Sequence, residues 1–398
     1  MHLLMKMSED APYLILGAGL AGLSAAAVLT AAGKSVCVLE QNRIPGGCAA
    51  SYPRKGARFE AGATTLVGLE PNMPLGLLQK IIGIEIEATK LETPMQIYLP
   101  DGQILSRFSD FSMWIAECHR VFGSGRFTEF WRYCLWISDR VWSASIRYTS
   151  FPPQGIQDYL RLLFKVNPSD TLLLPLATRT TESILKKFGL DQNSLFRQFV
   201  DQQLLITAQT YSHNCNALFG ATALCYPMLP NYYMMGGIGT LAHKLAEWLV
   251  QNGSIIHYRR TVESINPFNK GIHVKTNKGT YHAGRIISAI PVNNLLSLWK
   301  GPNLKIKDIR GSESLWSAFQ TSVLFRSPRR FNVLHYQVHV GKEEGLKEGS
   351  IFISLSHPDD VLRCPAGHTV ASVSTHIPAG TYIHLEEKLR LETAVLKK

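Results

Sequence analysis

Gly17, Gly19 and Gly22 fall in G-x-G-x-x-G spacing, and Glu40 closes the next apolar run. Those residue types at that spacing can hold a dinucleotide. The first glycine permits a tight turn, the second lets backbone approach a pyrophosphate, and the third lets helix and strand pack closely. A carboxylate at the far end can accept hydrogen bonds from a ribose diol. The chemistry demands particular elements around it. Tyr13 to Leu16 predicts a short apolar strand, "LSAAAVLTAA" is a strong helix former stopped by Gly33, and Ser35 to Leu39 predicts the next strand. The helix start then faces the phosphates. Gly33-Lys34-Ser35 resembles the tail of a P-loop, but Val28 stands where its first glycine must be.

Such a site holds either a nicotinamide or a flavin. A nicotinamide unit would continue as helix and strand. Here Pro45, Gly46, Gly47, Pro53 and Gly56 predict an extended loop able to run beneath a longer cofactor, and Gly62 lets backbone come close to a flavin ring. A second glycine set competes. Gly237, Gly239 and Ala242 have G-x-G-x-x-A spacing ahead of a helix with Leu241, Leu245, Trp248 and Leu249 on one stripe. Gly253 stops that helix, and Arg259 and Arg260 follow where a 2'-phosphate could bind. This leaves an NADPH site as a rival reading. Against it, Pro230, Asn231 and the run Tyr232 to Met235 make a poor buried parallel strand.

The blocks at Gly17 to Gly22, Glu40 to Gly47, and Phe59-Glu60-x-Gly62, with Phe199 to Leu224, resemble the flavin amine oxidase and phytoene desaturase superfamily. Within it they are most similar to the carotenoid desaturases and isomerases, including the cyanobacterial-type C-3',4' desaturases. The resemblance implies an α/β fold: a Rossmann-type, glutathione-reductase-like FAD-binding domain with an inserted α+β substrate domain. Residues 1–70 plus 232–300 would form the first, and 71–231 plus 301–398 the second. It implies noncovalent FAD on Gly17, Ala18, Gly19, Ala21, Gly22, Glu40, Gln41, Arg43, Gly46, Gly47, Gly62, Ala63 and Thr64, with the backbone of Val262 at the adenine end. It implies no metal. The implied activity is desaturation or isomerisation of a polyene, with hydride transfer to the flavin. An amine oxidase, an NADPH-linked flavoprotein reductase and a non-catalytic flavin or carotenoid carrier are the alternatives. No catalytic residue is assigned. Asp139 with Arg140, or His213, could manage a proton. Members of the family run on by roughly a quarter more, within ordinary domain sizes, through a G-D-x-x-x-P-G-like segment. This chain ends in "YIHLEEKLRLETAVLKK", read as a charged helix with Leu385, Leu389 and Leu396 unpartnered. The expectation is weak FAD binding by the chain as it stands.

The chain has 398 residues and a net charge of +11, which suits two or three packed units and anionic lipid, nucleic acid or acidic substrates. No RNA-binding motif accompanies the charge, so nucleic acid is not expected. Ser109 to Ser150 is rich in aromatics, among them Trp114, Trp131, Trp136 and Trp142, with arginines interleaved. Apolar bodies with cationic rims predict a peripheral, cytoplasmic membrane association through the region Ser109 to Lys187. The seven cysteines are scattered without a CxxC pair, so they read as reduced, with neither a zinc site nor a disulfide framework. "MHLLMKMSED" does not read as a secretory signal. Gln202 to His243 contains no charged residue, yet Pro227, Pro230 and Asn231 break it as a membrane span. It is expected to line a long apolar site for a hydrocarbon polyene, or to be plain interior.

Overall fold

The computed structural model describes residues 13–148, 167–268, 271–302, 316–327, 329–340 and 349–379, with isolated positions between and after them. In chain order the elements are β1 (Tyr13–Leu16), α1 (Leu20–Ala31), β2 (Val36–Leu39), β3 (Ser51–Arg54), β4 (Ala57–Glu60), α2 (Pro74–Ile82), β5 (Thr89–Lys90), β6 (Met95–Tyr98), β7 (Ile104–Arg107), α3 (Phe111–Phe122) and α4 (Phe127–Arg147). There follow α5 (Thr181–Lys187), α6 (Ser194–Ala208), α7 (Ala217–Cys225), β8 (Tyr232–Tyr233), α8 (Gly239–Gln251), β9 (Ile255–His257), β10 (Val262–Phe268), β11 (Gly271–Thr276), β12 (Gly279–Ala283), β13 (Arg285–Ser288) and α9 (Val292–Leu298). The last strands are β14 (Trp316–Arg326), β15 (His335–His339), β16 (Ser350–Leu355) and β17 (His368–Pro378). The architecture is α/β.

The expected strand–helix–strand unit is present. β1 lies between β13 and β2, and β9 pairs with β2, all parallel. Parallel strands need long crossovers; α1 joins β1 to β2, α8 leads into β9, and the two helices pack against each other over the sheet. Leu23, Ala26 and Ala27 on α1, with Leu241, Leu245 and Leu249 on α8, are buried there. Small side chains on α1 allow the close approach. The stretch after Glu40, expected as an extended loop, is instead a short 3-10 turn at Gly47–Ala49 and the hairpin β3–β4. Alternating buried residues Ala57 and Phe59 pin that hairpin to a satellite core with Cys364 and Val370.

The second sheet has six strands in the order β14-β17-β16-β15-β6-β7. One face is apolar, with Phe319, Ile351, Leu355 and Val373 buried together. The opposite face carries a strip of polar residues, several of them buried. Register places His335, Ser354, Ser372 and Ser322 in one row across four strands, and Gln337, Phe352, Ser374 and Gln320 in another. This inverts the usual alternation, in which polar residues face water.

The helices α3, α4, α6 and α7 enclose the largest core, and the aromatic surplus of Ser109 to Ser150 is inside it. Trp114, Phe127, Phe130 and Trp131 have no exposed surface. Trp136 and Trp142 are half-buried, and most of 149–166 lies outside the described residues, but these four are core rather than part of an interfacial belt. The same holds for most of the uncharged stretch, where Leu204, Leu205, Ala217, Ala221, Leu224 and Cys225 are buried interior. Among the described residues no helix is long and apolar enough to cross a membrane. The terminal helix expected after Thr381 lies largely outside the described residues; Glu392 there accepts a hydrogen bond from Thr321 at 2.8 Å.

The turn into α1 is tightly packed. A Cβ on Gly22 would sit 2.0 Å from the Gly17 carbonyl oxygen, a backbone atom that cannot swing away. Gly22→Ala is therefore expected to lower the free energy of unfolding by about 1–3 kcal/mol through overpacking. Urea denaturation of the two proteins checks this, and an unchanged midpoint would refute it.

Candidate functional site

The start of α1 is left bare. Gly19 caps it without a side chain, no acid stands in its first turn, and no side chain of the described residues accepts from its first amides. A helix start with open N–H groups is an anion site. Beside it, Glu40 is buried. One carboxylate oxygen accepts from the Ala18 amide at 2.7 Å and the other from the Asn42 amide at 2.8 Å. A carboxylate has about four acceptor positions, so two remain for a diol. Gly46 approaches Gly19 as a parallel bridge, its N–H donating to the Ala18 carbonyl at 2.8 Å. Gly47 lies close enough that a Cβ there would be 3.3 Å from the Gly19 Cα. The backbone after β9 returns to the same place: the Arg260 amide donates to the Glu40 carbonyl at 2.8 Å, and β10 begins at Val262. Gln41 and Arg43 are exposed at the rim. These groups fit a dinucleotide: a cradle lacking side chains, an uncapped helix start and a carboxylate with spare acceptors.

The second glycine turn is built differently. At the start of α8 the Ile238 amide donates to Glu60 Oε1 at 2.9 Å and the Gly239 amide to Ser51 Oγ at 3.1 Å. Gly237 has φ +88°, and a Cβ there would meet Glu60 Oε1 at 3.0 Å. This helix start is filled by the protein's own side chains and has no room for phosphate. The structure thus disfavours the NADPH reading, and it pairs β8 with β5 rather than with the parallel sheet.

Glu60 opens a buried polar cluster. Its Oε2 lies 3.4 Å from Arg363 Nη1, both side chains being only 2% exposed. Burial pushes the Glu60 carboxyl up, and Arg363 pulls it partly back. Asp360 Oδ2 accepts from the Tyr233 hydroxyl at 2.6 Å and the Gly236 amide at 2.8 Å. Gln320 Nε2 donates to the Glu60 carbonyl at 2.8 Å. The segment after β4 therefore meets the polar face of the six-stranded sheet.

Gly62, Ala63 and Thr64 follow at once. The Ala63 amide donates to the Cys48 carbonyl at 3.0 Å, and Thr64 Oγ1 shares a 2.8 Å hydrogen bond with Ser354 Oγ. Ser354 Oγ in turn lies 2.9 Å from His335 Nδ1. His335 Nε2, both ring nitrogens of His339 and Ser372 Oγ are buried without a partner. Gln337, between the two histidines on β15, accepts from Gln203 Nε2 at 2.6 Å, and Ser350 Oγ donates to Gln202 at 2.6 Å. Orphaned buried polar atoms are rare in folded proteins and mark where a ligand or water belongs. This wall is polar, unlike the apolar lining expected of a polyene site. Of the uncharged stretch, Gln202 and Gln203 reach it.

His335, Gln337, His339, Ser354 and Arg363 escaped the sequence reading. The signal available was the period-2 pattern of "HYQVH" and "SIFIS", polar on alternate residues. The proton-handling candidates do not join this site. Asp139 and Arg140 sit on α4, with Arg140 over the Trp136 ring at 4.2 Å. His213 stacks on Tyr211 in the turn between α6 and α7. All seven cysteines are free. Among the described residues no group of three or more His, Cys, Asp or Glu could hold a metal ion.

A family model described as flavin containing amine oxidoreductase matches residues 20–397. A prolycopene isomerase from an Oncidium hybrid cultivar is 26% identical over 394 residues, covering 93% of this chain and 65% of the relative. A 1-hydroxycarotenoid 3,4-desaturase from Flavobacterium sp. (strain P99-3) is 25% identical over 320 residues, covering 76% of this chain and 62% of the relative. The chain thus spans less than two thirds of the length of these relatives. Among solved structures, a triple mutant of putrescine oxidase superposes with a TM-score of 0.61 at 17% identity, covering 97% of this chain and 80% of that one.

Burial, with Arg363 nearby, pushes His335 down to about 4, and burial alone does the same to His339. The unfolded chain takes up these protons near pH 6.5, whereas the native one holds them off until about pH 4. Their contribution is complete above pH 6.5 and is lost as pH falls towards 4, by roughly 3 kcal/mol for each residue. Glu60 acts in the opposite sense. A His335→Gln, His339→Gln double variant should therefore lose less stability than wild type between pH 7 and 4.5 in parallel urea titrations. Equal losses would show that the rings titrate normally.

Proposed function

The chain belongs to the flavin containing amine oxidoreductase family, and on that premise we propose that it is an FAD-dependent oxidoreductase of carotenoids, desaturating or isomerising a polyene. The observation that carries this reading is the pairing of a bare, glycine-cradled helix start with a buried polar sheet face that meets the loop at Gly62 to Thr64. FAD when bound supplies a two-electron acceptor, and the protein supplies binding, alignment and shielding from water. In this reading Gly17, Ala18, Gly19, Ala21 and Gly22 hold the pyrophosphate, and Glu40 with Gln41 the ribose. Arg43, Gly46 and Gly47 run beneath the cofactor, Gly62, Ala63 and Thr64 stand at the ring, and Val262 at the adenine end. Residues 1–70 and 232–300 act as the cofactor unit, the remainder as the substrate unit. The sheet strands drawn from 13–39 and 255–288, as against 95–107 and 316–378, support that division. The unpaired nitrogens of His335 and His339 favour a ligand with hydrogen-bonding groups at that wall, such as a flavin ring edge or an oxygenated polyene end.

We further propose peripheral attachment to an anionic membrane. Among the described residues, exposed apolar side chains on elements that touch one another include Leu172 and Leu174, Phe219 on α7 and Ile146 on α4, with exposed Arg179 beside them. Phe219 is 69% and Leu174 68% exposed, which a helix-flanked apolar patch in water does not need.

Two measurements test these readings. FAD titrated into purified protein should quench its flavin fluorescence, and Glu40→Ala should weaken binding by about tenfold or more. Anaerobic incubation of the loaded protein with carotenoids, read by absorption and mass, should give loss of two hydrogens for desaturation or unchanged mass with a shifted spectrum for isomerisation. Binding of NADH but not FAD, or no change in any polyene, refutes the proposal. Flotation with anionic liposomes should fall with salt and with a Leu174→Ser, Phe219→Ser variant. Equal flotation of variant and wild type would place the contact elsewhere.

A further inference from the structure

Arg107 ends β7 inside the aromatic core and has no exposed surface. Its guanidinium carbon lies 4.1 Å from the Trp114 ring centre, 5.2 Å from Trp131 and 5.4 Å from Phe199. Nη2 donates to the Leu224 carbonyl at 2.8 Å, while Nε and Nη1 have no partner. The indole nitrogens of Trp114 and Trp131 are buried and unpartnered too, and the two rings sit 5.3 Å apart, centre to centre. Trp131 points its N–H towards Cys118, a weak acceptor, without normal hydrogen-bond geometry.

The charges around Arg107 do not balance it. The ionisable groups that face it are Cys118 and Cys225. Burial pushes the Cys118 thiol up to about 12 and Cys225 higher still, so both stay neutral. Glu117, next in sequence to Cys118, is engaged elsewhere, with Arg120 at 2.6 Å and the Ser106 amide at 2.8 Å. Burial lowers Arg107 only to about 10, so it remains a cation at neutral pH. Stacking on aromatic faces offsets part of the desolvation cost, but it accepts no hydrogen bond from the edge of the guanidinium. Among the described residues no carboxylate pairs with Arg107, and its Nε and Nη1 are left without an acceptor.

We propose that Arg107, Trp114 and Trp131 form an internal site for one monovalent anionic group, either a halide-sized ion or the carboxylate end of an apolar chain. One cation with apolar walls calls for a single negative charge, and donors without competing acceptors select against a cation or a neutral donor. The site lies in the helical core rather than at the glycine cradle, and it stands whether or not the proposed function does.

Thermal unfolding of the full-length protein, followed at constant ionic strength in rising chloride and separately in octanoate, tests it. Arg107→Met serves as the comparison and cancels general salt effects. Wild type should gain roughly 2–4 °C that the variant does not. A gain in chloride identifies the ion, and a gain in octanoate alone identifies the carboxylate. No gain over the variant in either anion would overturn the proposal. Should the variant not fold, wild type alone is decisive. Iodide should quench a blue-emitting tryptophan component saturably while caesium does not, and linear, unsaturable iodide quenching would overturn the site.

Discussion

The Glu60–Arg363 pair is the constraint on which the rest of the structure rests. Glu60 ends the hairpin after the glycine cradle, and Arg363 lies just ahead of β17 in the other sheet. A carboxylate that deep is tolerated only if it is paired and hydrogen-bonded. It meets that condition by drawing three distant segments together. Arg363 supplies charge, the turn at Ile238 supplies an amide, and Asp360 with Tyr233 closes the cluster from behind. The loop at Gly62 to Thr64, two residues further on, thereby lies against the sheet.

The same pair explains how one chain can carry two glycine-rich turns with different fates. Both start helices that pack against each other over one sheet. Gly17 to Gly22 leaves its helix start open because, among the described residues, no side-chain acceptor reaches the amides of the first helical turn. Gly237 to Gly239 has its start filled by Glu60 and Ser51, and its glycines leave space for those side chains, not for a ligand. Spacing alone describes backbone permissiveness, and permissiveness serves a carboxylate from within as readily as a phosphate from outside.

Packing and polarity divide the second half of the molecule in an uncommon way. Its helices bury tryptophans and phenylalanines in edge-to-face contacts around one another. Its sheet turns its apolar side away from the cradle and its histidines, serines and glutamines towards it. Desolvating those groups costs stability unless a partner satisfies them. The arrangement therefore concentrates unmet hydrogen-bonding capacity on one wall, beside the loop that the cradle positions.

The sequence by itself determined the local features. Glycine spacing, an apolar strand on each side and Glu40 dictated the β1–α1–β2 unit, because those features act over a few residues through sterics and helix propensity. The sequence did not determine where side chains meet across distance. The aromatic run of α3 and α4 could serve a core or a lipid face, and only the closing of α6 and α7 over it decided for the core. His335 and Ser354 are unremarkable residues on separate strands until pairing register sets them side by side. Glu60 reads as part of a motif until Arg363, some three hundred residues on, is folded against it. Burial, register and charge pairing are properties of the closed molecule, and so the tertiary structure alone decided which glycine turn stays open and which sheet face becomes the wall.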